Sequence, residues 1–215
     1  MKSRIENQRQ RGMTVFEVMV VVACLLVLAA LLLPLLAGAK RPRSRINCVS
    51  NLRQVSLGFR IWEGDNGALY PMAVSVTNGG AMELMKTGSL VNCLQCVSNE
   101  LTTTKILVCP GDQGCTFATN WNDLNSSHVS YFVDADASSE AIPNMVLDGD
   151  DHLAISGKSV TSGLMNISSN ASISWFGARH RGCGNLGFAD GSVDQLSRQD
   201  YNRRLKKLDW QPIEL

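Results

Sequence analysis

The 215 residues are 45% hydrophobic and 18% charged, with a formal net charge of +1. That balance belongs to the globular range and excludes bulk polyelectrolyte character, so no nucleic-acid partner is expected. The average conceals a concentration of apolar residues near the N-terminus, where Val18 to Ala39 runs without a charge. About 20 such residues span a bilayer, and the roughly 175 that follow suffice for one domain with a core of its own.

Three kinds of segment are compatible with that hydrophobic run. A secretory signal has an apolar stretch of about 7 to 15 residues and a small-x-small cleavage site. Ala37-Gly38-Ala39 supplies the site, but the run is too long and opens beside Glu17. A plain single-pass anchor explains the length and leaves Glu17 unexplained, since a carboxylate at mid-bilayer costs about 2.5 to 3.5 kcal/mol. Flanking charge does not orient the span: Lys2, Arg4, Arg9 and Arg11 precede it, and Lys40, Arg41, Arg43 and Arg45 follow it.

The local pattern Arg11-Gly12-Met13-Thr14-Val15-Phe16-Glu17 resembles the signal of prepilins: a basic leader, a glycine, an apolar start to the mature chain and a glutamate five residues after the glycine. Glycine lets the backbone enter a narrow peptidase site without a side-chain clash, and the basic leader stays cytoplasmic. The resemblance implies cleavage after Gly12, N-methylation of the Met13 amine, and pairing of Glu17 with the N-terminal amine of a neighbouring subunit. Such a pair neutralises a carboxylate that lipid disfavours. The family usually begins its mature chain with phenylalanine, and Met13 replaces it here. Pro34 falls where many pilins carry a helix-kinking proline.

Past the span, Pro42 predicts a kink or interruption near residues 40 to 44. Cys48, Leu52, Val55, Phe59 and Trp62 then recur at spacings of four, three, four and three, one apolar face of a helix. Gly64 to Gly67 ends it, and the stripe requires a partner surface, most simply a sheet of the same chain.

Beyond that helix, short apolar runs alternate with glycine, serine and asparagine. Residues 81 to 101 read as one or two short helices, and Lys105 to Cys109 as a strand ended by Pro110-Gly111-Asp112. Val129 to Val133, Asn144 to Leu147 and Ala171 to Arg179 read as further strands. Arg181 to Asn185 reads as a glycine-bearing loop. Leu186 to Ala189 faces Ser192 to Leu196 across Asp190-Gly191, a hairpin signal with an expected type I′ turn. Ser197 and Asp200 offer a capping pair for a last helix through about Leu208.

His180, nine intervening residues and Asp190-Gly191 resemble the C-terminal mark of the H-X9-DG prepilin-type proteins, a pilin-like family. Asn51-Leu52-Arg53-Gln54, Asp65-Asn66-Gly67, Tyr70-Pro71 and Val108-Cys109-Pro110 with Asp112 are similar to further segments of that family, while residues 113 to 170 match none of them. For His180 and Asp190 two readings stand. Either they share a metal, a proton or a subunit contact, or Asp190 shapes the turn while His180 packs in the sheet.

Of seven cysteines, Cys24 lies in the span. The other six, Cys48, Cys93, Cys96, Cys109, Cys115 and Cys183, are disulfide candidates in an exported domain, and their pairing stays open. Cys93-x-x-Cys96 with Cys109 and Cys115 is an alternative zinc set, more widely spaced than is usual. A redox role for the same pair lacks a βαβ context. Asp148, Asp150 and Asp151 are calcium candidates, as in heads of some secretion pseudopilins; they complete no calcium loop, and a solvated acidic turn is the simpler reading. His128, His152 and His180 accompany no nucleophile elbow, phosphate loop or zinc-protease motif, so no enzyme and no cofactor is expected.

The expected fold is α+β, a pilin-like lollipop with a long N-terminal hydrophobic helix packed on a C-terminal globular head with an antiparallel β-sheet. Residues 1–12 are the leader, 13–39 the transmembrane and filament-core helix, 40–64 its amphipathic continuation, and 65–215 the head. The expected function is that of a pilin or pseudopilin, a structural subunit of a type IV pilus-like or type II secretion filament. Its partners are then other such subunits, the prepilin peptidase and the inner-membrane assembly platform. It sits in the bacterial inner membrane with a cytoplasmic leader and a periplasmic head, and afterwards in a periplasmic or extracellular filament. A ligand-binding adhesive minor pilin and a membrane-anchored exported hydrolase are the alternatives.

Overall fold

The computed structural model describes residues 13–38, 40–160, 163–165, 167, 171–177, 179–197 and 200. The chain divides into two units, Met1–Lys40 and Arg41–Leu215. The leader and most of the expected C-terminal helix lie outside the described residues. Of that helix, the predicted cap is present: Ser197 Oγ donates to Asp200 Oδ2 at 2.6 Å, and the Asp200 amide donates back at 3.3 Å.

The first unit is built on α1, Val15–Gly38. Leucine, valine and alanine surround this helix without a polar face, so it is uniformly apolar rather than amphipathic. Its side chains from Val15 to Leu33 are exposed, and Val15–Leu33 is long and apolar enough to cross a membrane. The helical assignment continues through Pro34.

The second unit is α+β. It begins on α2, Lys40–Asp65. Where a kink or interruption was expected, the helical assignment of α2 runs through residues 40 to 44, with Pro42 among its first residues. At the other end the chain turns through two positive φ angles, 74° at Gly67 and 60° at Ala68. The predicted stripe is fully inside: Cys48, Leu52, Val55 and Phe59 are 0 to 1% exposed and Trp62 5%. Each such side chain contributes roughly 1.5 to 3 kcal/mol by leaving water.

Two short helices follow, α3 (Met82–Lys86) and α4 (Leu90–Cys96), where the sequence predicted them. The predicted strand at Lys105–Cys109 is instead a 3-10 turn, Thr104–Leu107. Thr103 Oγ1 accepts from the Lys105 amide, and Thr104 Oγ1 donates to the Ala118 carbonyl at 2.6 Å. These threonine bonds supply the backbone with a local alternative to a ladder.

Among the described residues of this unit seven strands follow: β1 (Tyr131–Val133), β2 (Val146–Asp150), β3 (Leu153–Ile155), β4 (Lys158–Ser159), β5 (Ile173–Trp175), β6 (Cys183–Phe188) and β7 (Val193–Ser197). An antiparallel four-stranded sheet runs β1-β2-β6-β7, and a smaller antiparallel sheet runs β4-β3-β5. Strand β2 starts two residues later than expected and extends through two acidic positions, Asp148 and Asp150, and β5 is shorter than the predicted run. The expected loop at Arg181–Asn185 gives way to β6 from Cys183 onward.

The larger sheet is covered on both faces. Tyr131, Leu147, Ala189 and Val193 join the α2 stripe in the main core. Val146, Leu186, Phe188 and Leu196 join Leu153, Ile173 and Trp175 in a second one. A register shift between Val146 and Asp148 interrupts the alternation of β2. It turns both Leu147 and Asp148 toward α2, and Asp150 follows two residues on. Asp148 and Asp150 are therefore 0% exposed, which corrects the reading of a solvated acidic turn.

The β6–β7 hairpin forms over Asp190-Gly191 with a different turn from the one predicted. The Gly191 amide donates to the Phe188 carbonyl at 2.8 Å and the Phe188 amide to the Ser192 carbonyl at 2.9 Å. Only Gly191 has positive φ, +80°. The loop is three residues long with a glycine bulge, whereas a type I′ turn needs positive φ at two positions.

Candidate functional site

At the N-terminal end, Met13 is exposed and Gly12 lies outside the described residues. Thr14 and Glu17 form a reciprocal cap on α1. The Thr14 amide donates to Glu17 Oε2 at 2.7 Å, and the Glu17 amide donates to Thr14 Oγ1 at 3.3 Å. This is a capping box, satisfying two orphan amides of the helix start. The Thr-x-x-Glu spacing carries that geometry in the sequence, so Glu17 has a helix-starting role beside any intermolecular one.

In the second unit the marked residues converge on another centre. Cys48, at the start of the α2 stripe, is disulfide-bonded to Cys109, with Cα atoms 5.1 Å apart. His180 packs directly on this bridge. Its Nε2 lies 3.2 Å from Cys109 Sγ and 3.7 Å from Asp150 Oδ2. The Gly111 amide donates to the same sulfur at 3.4 Å, because the turn Cys109-Pro110-Gly111-Asp112 closes with the Asp112 amide on the Cys109 carbonyl at 2.8 Å. One donor-type atom from each of Cys48, Cys109, Asp150 and His180 falls within 4.8 Å of the others, and all four residues are buried.

His180 holds its position at a conformational cost. Its backbone is left-handed (φ 51°, ψ 21°), followed by Arg181 at φ 58° and Gly182 at φ 75°. Each left-handed residue with a side chain costs about 1 to 3 kcal/mol unless its surroundings hold it. Arg45 Nη2 donates to the His180 carbonyl at 3.4 Å. The neighbouring Arg179 is pinned by Asp112, to which its Nη2 donates, and by Asp151 Oδ1 at 2.6 Å. Ser130 Oγ adds a bond to Asp112 Oδ2 at 2.8 Å.

Burial sets the charge states. Desolvation, reinforced by Arg179 and Arg45, lowers His180 to about 4, so the imidazole is neutral. Desolvation raises Asp150 to about 7, although Oδ2 accepts from the Asn185 amide and side chain, both at 2.9 Å. The other oxygen, Oδ1, is buried with no hydrogen-bond partner among the described residues. His152 is lowered to about 4, mainly by desolvation; its Nε2 lies 3.2 Å from the Cys183 carbonyl, and its ring lies 6.0 Å from that of His180.

His180 is thus beside Asp150 and the disulfide, while Asp190 is exposed and accepts from the Ser192 amide at 2.8 Å. Gly191 supplies the turn. The alternative zinc set is not gathered among the described residues. Cys93 Sγ lies 3.9 Å from Met72 Sδ, Cys96 Sγ points to the Gly80 carbonyl at 3.6 Å, and Cys115 Sγ to the Val129 carbonyl at 3.4 Å. Cys183 is also free. Asp150 and the two arginines carry no local spacing signal toward Cys48, since β2 and α2 meet only in the folded sheet.

No curated protein and no solved structure matches the chain. The family model of the prokaryotic N-terminal methylation motif matches residues 7–33. That segment ends where the membrane-competent part of α1 ends. The chain carries the N-terminal signal of a prepilin-type precursor, of the kind found on type IV pilins and pseudopilins.

Proposed function

We propose that the protein is a structural subunit of a type IV pilus-like or type II secretion filament, of the H-X9-DG prepilin type. The observation that carries this reading is the methylation motif over residues 7–33. The prepilin peptidase cuts after Gly12 at the cytoplasmic face of the inner membrane, and the new Met13 amine is methylated. The apolar α1 anchors the subunit and then joins the α1 helices of other subunits in the filament. There dispersion contacts and the exclusion of lipid replace the bilayer. Glu17 pairs with the N-terminal amine of a neighbour, which removes an uncompensated carboxylate from the apolar bundle. The role of the chain is assembly through an inner-membrane platform, not catalysis, and its head stands outside the cytoplasm.

N-terminal mass analysis of membrane-extracted protein tests this. The expected mature end is Met13 with one added methyl group. A mature end at Lys40 identifies an ordinary secretory signal and overturns the proposal, as does unchanged cleavage of Gly12→Ala by the prepilin peptidase.

A further inference from the structure

We propose that Cys48, Cys109, His180 and Asp150 are a tetrahedral site for one thiophilic divalent cation of the zinc class, and that the Cys48–Cys109 disulfide is the closed, metal-excluding form of the same site. The four donor types, two sulfurs, an imidazole nitrogen and a carboxylate oxygen, are those of zinc sites. They lie within 4.8 Å of one another and are buried. A tetrahedral ion with bonds of about 2.0 to 2.3 Å requires donors roughly 3.3 to 3.8 Å apart. His180 Nε2 is already 3.2 Å from Cys109 Sγ and 3.7 Å from Asp150 Oδ2. The sulfurs must separate, and the remaining donor pairs, all within 4.8 Å, must adjust to that spacing.

The surroundings fit a cation held by anionic donors. Gly111 donates its amide to Cys109 Sγ, a bond that a thiolate strengthens. Asp150 Oδ1 is buried without a hydrogen-bond partner among the described residues, a cost that a cation removes. Two thiolates and a carboxylate exceed the charge of the ion by one, and Arg45 and Arg179 stand beside His180. The left-handed backbone at His180 is the local strain that accompanies the imidazole's position beside Cys109 Sγ.

The two forms interconvert in a balanced step. In the metal-bound head both cysteines are thiolates. An oxidised dithiol accepts two electrons from them, the Cys48–Cys109 bond forms, the cation leaves, and two protons from solvent complete the reduced dithiol. In reverse, a reduced dithiol breaks the bridge and the cation displaces two protons to solvent. Both sulfurs are buried, so the cation enters before the bridge closes, in the newly made chain.

Cobalt titration of the full chain, extracted in detergent and kept reduced with a phosphine, tests the proposal. One cobalt per chain is expected, with sulfur-to-cobalt charge transfer and the intense visible bands of tetrahedral geometry, and with zinc displacing it. The oxidised chain is expected to give no such band. His180→Gln, which retains both cysteines, is expected to weaken binding about tenfold or more; Cys93→Ser/Cys96→Ser is expected to leave it unchanged. Should reduction loosen the head, one equivalent of cobalt is expected to restore the near-ultraviolet dichroism of the buried tryptophans. Absence of the band, its persistence in Cys48→Ser/Cys109→Ser, an unchanged affinity in His180→Gln, or failure of cobalt to restore a loosened head overturns it. None of these readings depends on filament assembly.

Discussion

Ser56 Oγ donates to Asp148 Oδ2 at 3.0 Å, joining the buried face of α2 to the bulged strand β2. Asp148 is 0% exposed, and desolvation raises it to about 8. The folded head therefore holds a proton that the unfolded chain releases above its ordinary 3.8. Between those limits the native state binds more protons, so stability is complete at the acid end and falls as pH rises through about 8. Asp148→Asn keeps an acceptor for Ser56 and removes the titration. Denaturant unfolding followed by tryptophan fluorescence across that window is expected to show a shallower pH slope in the variant; an equal slope refutes the assignment.

Gly184 lies in β6 against Trp175, and a methyl group there would come within 2.3 to 2.5 Å of indole ring atoms. Trp175 is buried in the second core and cannot yield as a flexible chain end would. Gly184→Ala is expected to cost about 2 to 3 kcal/mol by overpacking and to alter the near-ultraviolet dichroism of the indole. A wild-type unfolding midpoint would show that the two strands separate without cost.

Arg179 holds Asp112 and Asp151 together. Arg179→Met leaves both carboxylates without their counter-ion and is expected to destabilise the head by roughly 2 to 4 kcal/mol. Adding Asp112→Asn should recover part of the loss, because the half-buried charge is then gone. No recovery in the double variant would place the effect in packing of the side chain rather than in charge.

The Cys48–Cys109 bridge closes a loop with a sequence separation of 61 residues. A loop of that size corresponds to about 4 kcal/mol of lost unfolded-state entropy. Cys48→Ser/Cys109→Ser is expected to lower stability by up to that amount relative to the oxidised chain, measured by chemical denaturation. An unchanged midpoint would mean that the unfolded chain gains nothing when the bridge is absent.

Glu17→Gln separates two roles of one side chain. Glutamine still accepts from the Thr14 amide, so α1 retains its cap, but the charge is lost. Under the proposed function the variant is cleaved and methylated at Met13 yet fails to enter filaments, read by shearing and sedimentation. Normal incorporation would remove the charge from the assembly step.

What could be read in advance was what repeats locally. The four-three spacing from Cys48 to Trp62 defines a buried helix face without reference to anything else, and Asp190-Gly191 announces its hairpin because few residue pairs turn a chain so tightly. Lys105–Cys109 misled because its aliphatic run suits a strand equally well, and the deciding bonds come from Thr103 and Thr104, one of them to distant Ala118. The grouping of His180 with Asp150 was not legible. It depends on a one-residue shift in β2 and on a left-handed histidine, and neither leaves a periodic trace. The His180 and Asp190 spacing was visible, but the structure divides the pair: one lies buried beside Asp150 and the disulfide and the other in an exposed turn.

The bridge at Cys48 also has a mechanical meaning. Tension entering through the N-terminal helix reaches the head within a few residues of this cysteine, and from there a covalent shortcut leads to Cys109. The intervening chain, which includes most of α2 together with α3 and α4, is bypassed. A stretched chain in its oxidised form therefore cannot pay out that length, and the pull passes through the bridge to Cys109.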